Sequence, residues 1–467
     1  MARVPTTRLA VSGHRFLLRR MEHAIVRRDV RMIDEPMRAQ ARSLLTGCVL
    51  AAAALAGCAV LAFVRPADAL GDAPIVMVKE SGALYVRVGD VLHPALNLAS
   101  ARLIVGSPAD AEVIKQSELR NARRGALLGI PGAPASVPEP LATADSQWTV
   151  CDGAVGTTVI GGPLSADAGA TPLSAGRTMV VRARAESVAY LLYDGLRARV
   201  DLSDPAVVTA LRLDAITPTE VSSAALNAIP ETAPIAAPDI PDAGRRGPSS
   251  LGGLPVGSVV RVVRADAKEL FVVLSGGVQR VGRTTADIIR FGNSVGVRDL
   301  VTVAADAITA AGIVEKLSLP TLPDAILAPV RATAVCAHWQ PPTAGATERT
   351  EILAASKLPI RSGHTPVALA QADGTGPNVD AVYVPPGRCF FVESTHRYLV
   401  TDTGVRFGIE SPEAAAALGL PEPAAPAPWR VVKLLADGGE LGRSAALVAH
   451  DGIASDRRGV VSPPPQR

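Results

Sequence analysis

Residues 43–64, SLLTGCVLAAAALAGCAVLAFV, run for 22 residues without a charge. At about 1.5 Å per residue a helix of that length covers roughly 33 Å, enough to cross a hydrocarbon core of about 30 Å. A single segment can satisfy its own backbone there only as a helix. Upstream lies a basic leader. Residues 1–42 hold ten arginines against four acidic side chains, about +6, within a chain whose formal charge is +3. Positive charge flanking a span stays on the cytoplasmic side, so residues 65–467 are expected outside.

Two cleavage patterns compete with a retained anchor. Leu45-Thr46-Gly47-Cys48 and Leu55-Ala56-Gly57-Cys58 fit lipoprotein boxes, and Ala67-Asp68-Ala69 fits a signal-peptidase site. Secretory leaders carry short basic regions and apolar stretches of about 7–15 residues. Both parts are longer here, so the reading is a retained single-pass anchor.

The leader itself has structure written in it. GHRFLLRRMEHAIVRR (13–28) sets Leu17, Met21, Ala24 and Ile25 at helical spacing among Arg15, Arg19, Arg20, Arg27 and Arg28. Those arginines suit anionic lipid headgroups or the carboxylates of partner subunits. Nucleic acid is disfavoured, because a single aromatic, Phe16, and no loop-like residues interleave to read bases.

The outer part repeats. Stretches opening at Leu84, Tyr190, Leu270 and Tyr398 share a short strand, a turn with Gly89, Gly195, Gly276 or Gly404, a second strand and a short helix. Glycine suits the positive φ of tight hairpins, and Ser203, Thr284 and Ser411 suit helix N-caps. The expected repeats span about 84–119, 190–226, 270–308 and 398–435. A unit this small cannot bury its own apolar face and must pack on something. Core segments are expected at about 125–189 and 309–397. Cys151 follows Leu84 by 67 residues and Cys336 follows Leu270 by 66. Each cysteine has a tryptophan three residues away, Trp148 and Trp339. The outer part therefore reads as two halves, each repeat–core–repeat, in an α+β fold. Prolines in 227–250 argue for a linker without continuous helix or strand. Residues 65–454 form the outer domain, and 455–467 read as a loose tail.

VSGHRFLLRRMEHAIVRRDVRM, one span, LYVRVGDVLHPALNLASARLIVG and LLGIPGAP together resemble the EccB component of mycobacterial type VII (ESX) secretion systems. The resemblance runs along the whole chain. It implies a single-pass inner-membrane subunit with a cytoplasmic tail. The outer part is implied to be an elongated periplasmic domain, with four repeats around a β-rich core of pseudo-twofold symmetry. Implied partners are EccC-, EccD- and EccE-like subunits and a mycosin protease, with self-association; for the basic tail it favours partner docking. Equivalent residues near a pseudo-twofold axis meet each other, so Cys151 and Cys336 are expected to pair in an oxidising compartment. Cys389 has no counterpart and is expected as a free thiol.

Members of that family are sometimes labelled ATPases. A phosphate loop needs G-x-x-x-x-G-K-[ST], and none of the six lysines follows a glycine. The glycine clusters GTTVIGGPLS and ADGTGPN are read as turns. Nucleophile elbows are absent. Cys336-Ala337-His338 lacks the paired spacing of zinc ligands, and no calcium loop surrounds Asp373-Gly374. No catalytic, cofactor or metal set is expected. The reading is a structural secretion subunit. The alternatives are a module that holds cell-wall polymer through its repeats, and an ATPase.

Overall fold

The computed structural model describes residues 7–28, 36–64 and 71–453, apart from 155, 166–168, 265–266, 293–298, 320, 325, 327–328 and 344–345. The tail expected at 455–467 lies outside the described residues.

The N-terminal region forms two helices. Helix α1 (Arg8–Arg27) is capped by Thr7, whose hydroxyl accepts from Ala10 N, and ends at Arg28 in the left-handed region. Helix α2 (Pro36–Val64) contains the uncharged run and starts seven residues before it. Its stretch Gln40–Val60 is long and apolar enough to cross a bilayer.

The remainder, taken by itself, is β-rich with short helices. At its centre lies a seven-stranded sheet. The strand order is 367–368, 381–383, 156–161, 148–153, 334–340, 349–355, 170–172. Its middle pair, Trp148–Gly153 and Ala334–Gln340, runs antiparallel with Cys151 opposite Cys336 and Trp148 opposite Trp339. The two tryptophans noted in the sequence are thus cross-strand neighbours. Sequences such as TVIGG and AVCAHW read as near-continuous apolar runs because both faces are covered. On one face Trp148, Val150, Val335 and Trp339 join Met179, Phe390 and Val432 in a single core. On the other, the two cysteines pack with Ile160 and Leu353.

Four further sheets share one connectivity. Three antiparallel strands are followed by a helix and by a strand parallel to the first. The opening strands are Ile75–Val78, Met179–Ala183, Val259–Arg264 and Arg388–Glu393. The helices after the third strand are α3 (Leu98–Val105), α4 (Pro205–Ala210), α6 (Arg283–Gly292) and α8 (Pro412–Leu418). Short helices α5 (Ser223–Ala228), α7 (Ala305–Ala311) and α9 (Trp429–Val432) lead into a last segment. That segment pairs parallel with the third strand: Glu231–Ile235 in the second sheet, Ala436–Leu441 in the fourth, single bridges in the first and third.

The stretches opening at Leu84, Tyr190, Leu270 and Tyr398 each lie on the second strand of their sheet. The opening strands (IVMV, MVVRA, VVRVVR, RCFFVE) are apolar runs that no glycine turn announces. The segment 227–250, expected as a linker without continuous helix or strand, holds one short strand, Glu231–Ile235. It lies at the sheet's edge, and its register shifts where Pro234 offers no N–H. Of the expected caps only Ser411 serves, accepting from Ala414 N. Asp204 takes the role given to Ser203, since aspartate one residue on reaches Ala206 N at 2.9 Å. Thr284 is inside α6 and donates to Pro323 O instead. In the third sheet the turn holds Gly276, between the paired Leu274 and Gly277, and Gly277 opens the next strand at φ +147°.

The sheets associate across the sequence. The first packs on the fourth: α3 meets α8, and Val86, Leu103, Phe407 and Leu418 share one core. Arg102 on α3 seals this contact, donating to Leu418 O at the end of α8 and pairing with Asp110 at 2.8 Å. The second packs on the third through α4 and α6, with Ile288 inserted among Leu191, Val207 and Leu211.

Candidate functional site

Arg15, Arg19 and Arg20 all lie on α1, and Arg27 closes it; the side chain of Arg27 lies outside the described residues. At 100° per residue, Arg15 and Arg19 are one turn apart on one side, and Arg20 is on the other. Leu17, Met21 and Ile25 lie between them and are 58 %, 60 % and 76 % exposed. The tail thus presents a basic, apolar-striped helix.

The second expected site is at the middle of the central sheet. Cys151 and Cys336 are bonded, 185 residues apart in sequence, with Cα atoms 4.0 Å apart. Directly opposed residues of an antiparallel pair are the ones close enough for such a bond. Cys389 is a buried free thiol that donates to Pro138 O at 3.1 Å. Burial pushes it up to about 12.

His338, two residues beyond Cys336, is turned to its neighbour strand. Its Nδ1 is 2.8 Å from the Thr149 hydroxyl, and the Gln340 amide nitrogen is 3.2 Å from Nε2. Burial pulls its pKa down to about 4. A neutral ring donating to Thr149 and accepting from Gln340 satisfies both nitrogens. Among the described residues no three His, Cys, Asp or Glu side chains gather as metal ligands.

Neither glycine cluster is free to hold phosphate. Gly156–Gly161 is a fully buried strand of the central sheet. In the loop at 372–378, the N–H groups of Asp373 and Gly374 already donate to the Asp380 carboxylate at 2.9 and 2.6 Å. Backbone donors that could cradle an anion have an internal one.

Sequence reasoning missed a buried polar cluster at the hairpin of the central sheet. Asp152 pairs with Arg184 in two contacts of 2.8 and 3.2 Å. The Thr157 hydroxyl donates to Asp152 at 2.9 Å and meets the Ser222 hydroxyl at 2.6 Å. Ser222 in turn caps α5. These bonds fasten the second sheet to the core. The one hint was an aspartate inside an apolar run, TVCDG. Two open clefts, about 470 and 420 Å³, lie below the turns at Asp194–Gly195 and Asp402–Thr403. In the first, Arg349 pairs with Glu351 at 2.8 Å and Arg430 approaches Glu348 at 4.0 Å; in the second, Asp402 accepts from Gly387 N; neither is lined by serine, cysteine or lysine.

A family model described as type VII secretion system ESX-1, transport TM domain B, matches residues 3–455. A protein named ESX-3 secretion system ATPase EccB3, from Mycolicibacterium smegmatis, is 38 % identical over 477 residues, covering 96 % of this chain and 92 % of its own length. One named ESX-1 secretion system ATPase EccB1, from Mycobacterium tuberculosis, is 35 % identical over 471 residues, covering 97 % and 96 %. Among solved structures, a chain of an intact ESX-5 inner membrane complex superposes with TM-score 0.73 at 33 % identity, covering 100 % of this chain and 99 % of that one. An EccB3 dimer from the ESX-3 core complex gives TM-score 0.69 at 36 % identity, over 80 % of this chain and 100 % of that one. With a family model spanning nearly its whole length and relatives this similar along theirs, the chain belongs to the EccB family of type VII secretion systems.

Proposed function

We propose that this chain is a structural subunit of a type VII secretion inner-membrane complex. The observation that carries this is the end-to-end match to a chain of an intact ESX-5 inner membrane complex. Helix α2 is the retained anchor, the basic leader is cytoplasmic and residues 65–454 are periplasmic. The charge asymmetry about the span supports that orientation. EccC-, EccD- and EccE-like subunits and a mycosin protease are its partners, and it self-associates. Arg15, Arg19, Arg20, Arg27 and Arg28 dock the cytoplasmic side.

The outer domain is built from two halves. Each half is repeat, core hairpin, repeat, with the repeats starting at the opening strands near 75, 179, 259 and 388. A pseudo-twofold axis between Cys151 and Cys336 relates them. The shared connectivity supports this, and so does the crossed pairing of first with fourth sheet and third with second.

Relatives carry the word ATPase in their names. The absent Gly-Lys pair and the occupied N–H groups of residues 373–374 argue against phosphate-transfer chemistry in this chain. Charge reversal tests the reading. Changing Arg19, Arg20, Arg27 and Arg28 to Glu should abolish secretion while the outer domain stays folded. Normal export by that variant would exclude the docking role.

A further inference from the structure

Helix α1 has more surface than a row of arginines. At 100° per residue, Ala24, Leu17, Met21, Ile25, Leu18 and Val11 share an arc of about 140°. Val11, Leu18 and Ile25 are 43 %, 46 % and 76 % exposed. Arg20 lies about 40° beyond one edge of this arc and Arg15 about 40° beyond the other. His14 is the one ionisable side chain within it, and Glu22 stands beside Arg15. Arg19, Ser12 and His23 occupy the opposite face, with Val26 beside Arg19 and with Phe16 and Leu9 between His23 and Arg20. A broad apolar arc with a cation at each margin is the pattern of a helix lying in the bilayer–water interface. There the apolar side chains enter the acyl boundary and the arginines reach out to headgroups. With this many arginines α1 cannot itself span.

The chain also fixes what surface α1 meets. Eight residues run from Arg28 to the start of α2 at Pro36, a reach of at most about 28 Å. Seven more helical residues, about 10 Å, precede the uncharged run at Ser43. The end of α1 is therefore tethered within roughly 40 Å of the bilayer, which raises the effective concentration of that surface. Residues 1–42 carry about +6, the complement of an anionic leaflet.

We infer that α1 lies on the anionic inner leaflet, its Leu17–Met21–Ile25 face in the lipid and its Arg19 face left outward. This rests on the membrane-anchored reading and divides the tail between two tasks: the arc holds lipid, and the opposite face remains for subunits.

The test uses the full chain in nanodiscs of phosphatidylcholine with 30 % phosphatidylglycerol, and in phosphatidylcholine alone, as stated lipid probes at about neutral pH. Leu17→Cys, Met21→Cys and Ile25→Cys, and separately Ser12→Cys and Arg19→Cys, carry an environment-sensitive dye, with Cys48→Ser and Cys58→Ser in the background. Lipid-borne quenchers should silence the dye at 17, 21 and 25 in anionic discs and spare it at 12 and 19. Arg15→Gln and Arg20→Gln should each lower the lipid-bound fraction constant about fivefold, in anionic discs only. Equal water access at all five positions, with α2 still embedded, would overturn the inference and leave the anchored reading standing. Loss of α2 itself from the discs would overturn both. Protection at 17, 21 and 25 that appears only when other subunits are added would assign the arc to protein instead.

Discussion

The imidazole of His338 is neutral at pH 7 because burial without a counter-charge penalises its cation. Its pKa is about 4 in the folded chain and near 6.5 unfolded. Below pH 6.5 the unfolded state therefore binds the extra proton, so stability falls as pH drops from 6.5 to 4 and the loss saturates below that. The bound is about 3 kcal/mol. His338→Gln, which keeps a polar group beside Thr149, should flatten thermal melting between pH 6.5 and 4. Unchanged pH dependence in the variant would rule out this group. Cys389 is governed by the same physics with opposite sign. Its thiolate is disfavoured, so iodoacetamide should modify Cys389 only after denaturation, as peptide mapping would report. Labelling at native pH 8 would mean the thiol is not buried.

Caps and turns set the elements, and here the sequence was partly legible. Ser411 was readable because Ser-Pro-Glu opens an alanine run; Asn97 was not, because it follows a strand with no such mark. Asn97 accepts from Ser100 N at 2.8 Å and donates to Ile130 O at 2.9 Å. Asn97→Ala should cost about 2 kcal/mol, the upper end for a cap, since a buried carbonyl is also left without its donor. A midpoint shift in urea measures it, and no shift would refute the assignment. Glycines were legible at the turns of all four sheets, for a steric reason where φ is positive. Gly195 at φ +78° also abuts the backbone of Thr350. Gly195→Ala is therefore expected to destabilise more than a strained φ alone, by 2 kcal/mol or more; a cost below 1 kcal/mol would show that the turn can move away. Opening strands were illegible, because a short, mostly apolar run looks the same in a strand and a buried helix. The Asp152–Arg184–Thr157 cluster was illegible too, since its members lie on separate elements joined only by folding.

For the molecule as a whole, the bond from Cys151 to Cys336 closes a loop across 185 residues. In the chain-entropy model that is worth about 5 kcal/mol, so Cys151→Ala with Cys336→Ala should lower the unfolding free energy by up to that amount. An unchanged urea midpoint would mean the unfolded chain is not constrained by it. Cys151 and Cys336 stand 67 and 66 residues after Leu84 and Leu270, and the fold sets them opposite each other on adjacent strands. The crossed association of sheets was not located, since nothing local records which repeat meets which. All of this describes a scaffold, and the central claim is that the scaffold belongs to a secretion complex. Co-purification tests that claim most directly. The full chain, tagged at its C-terminus and extracted in mild detergent, should emerge within a large assembly that includes an ATPase subunit and other membrane subunits of the same system. Recovery of the chain only as a free monomer or dimer, while the assembly forms and secretes without it, would contradict the account.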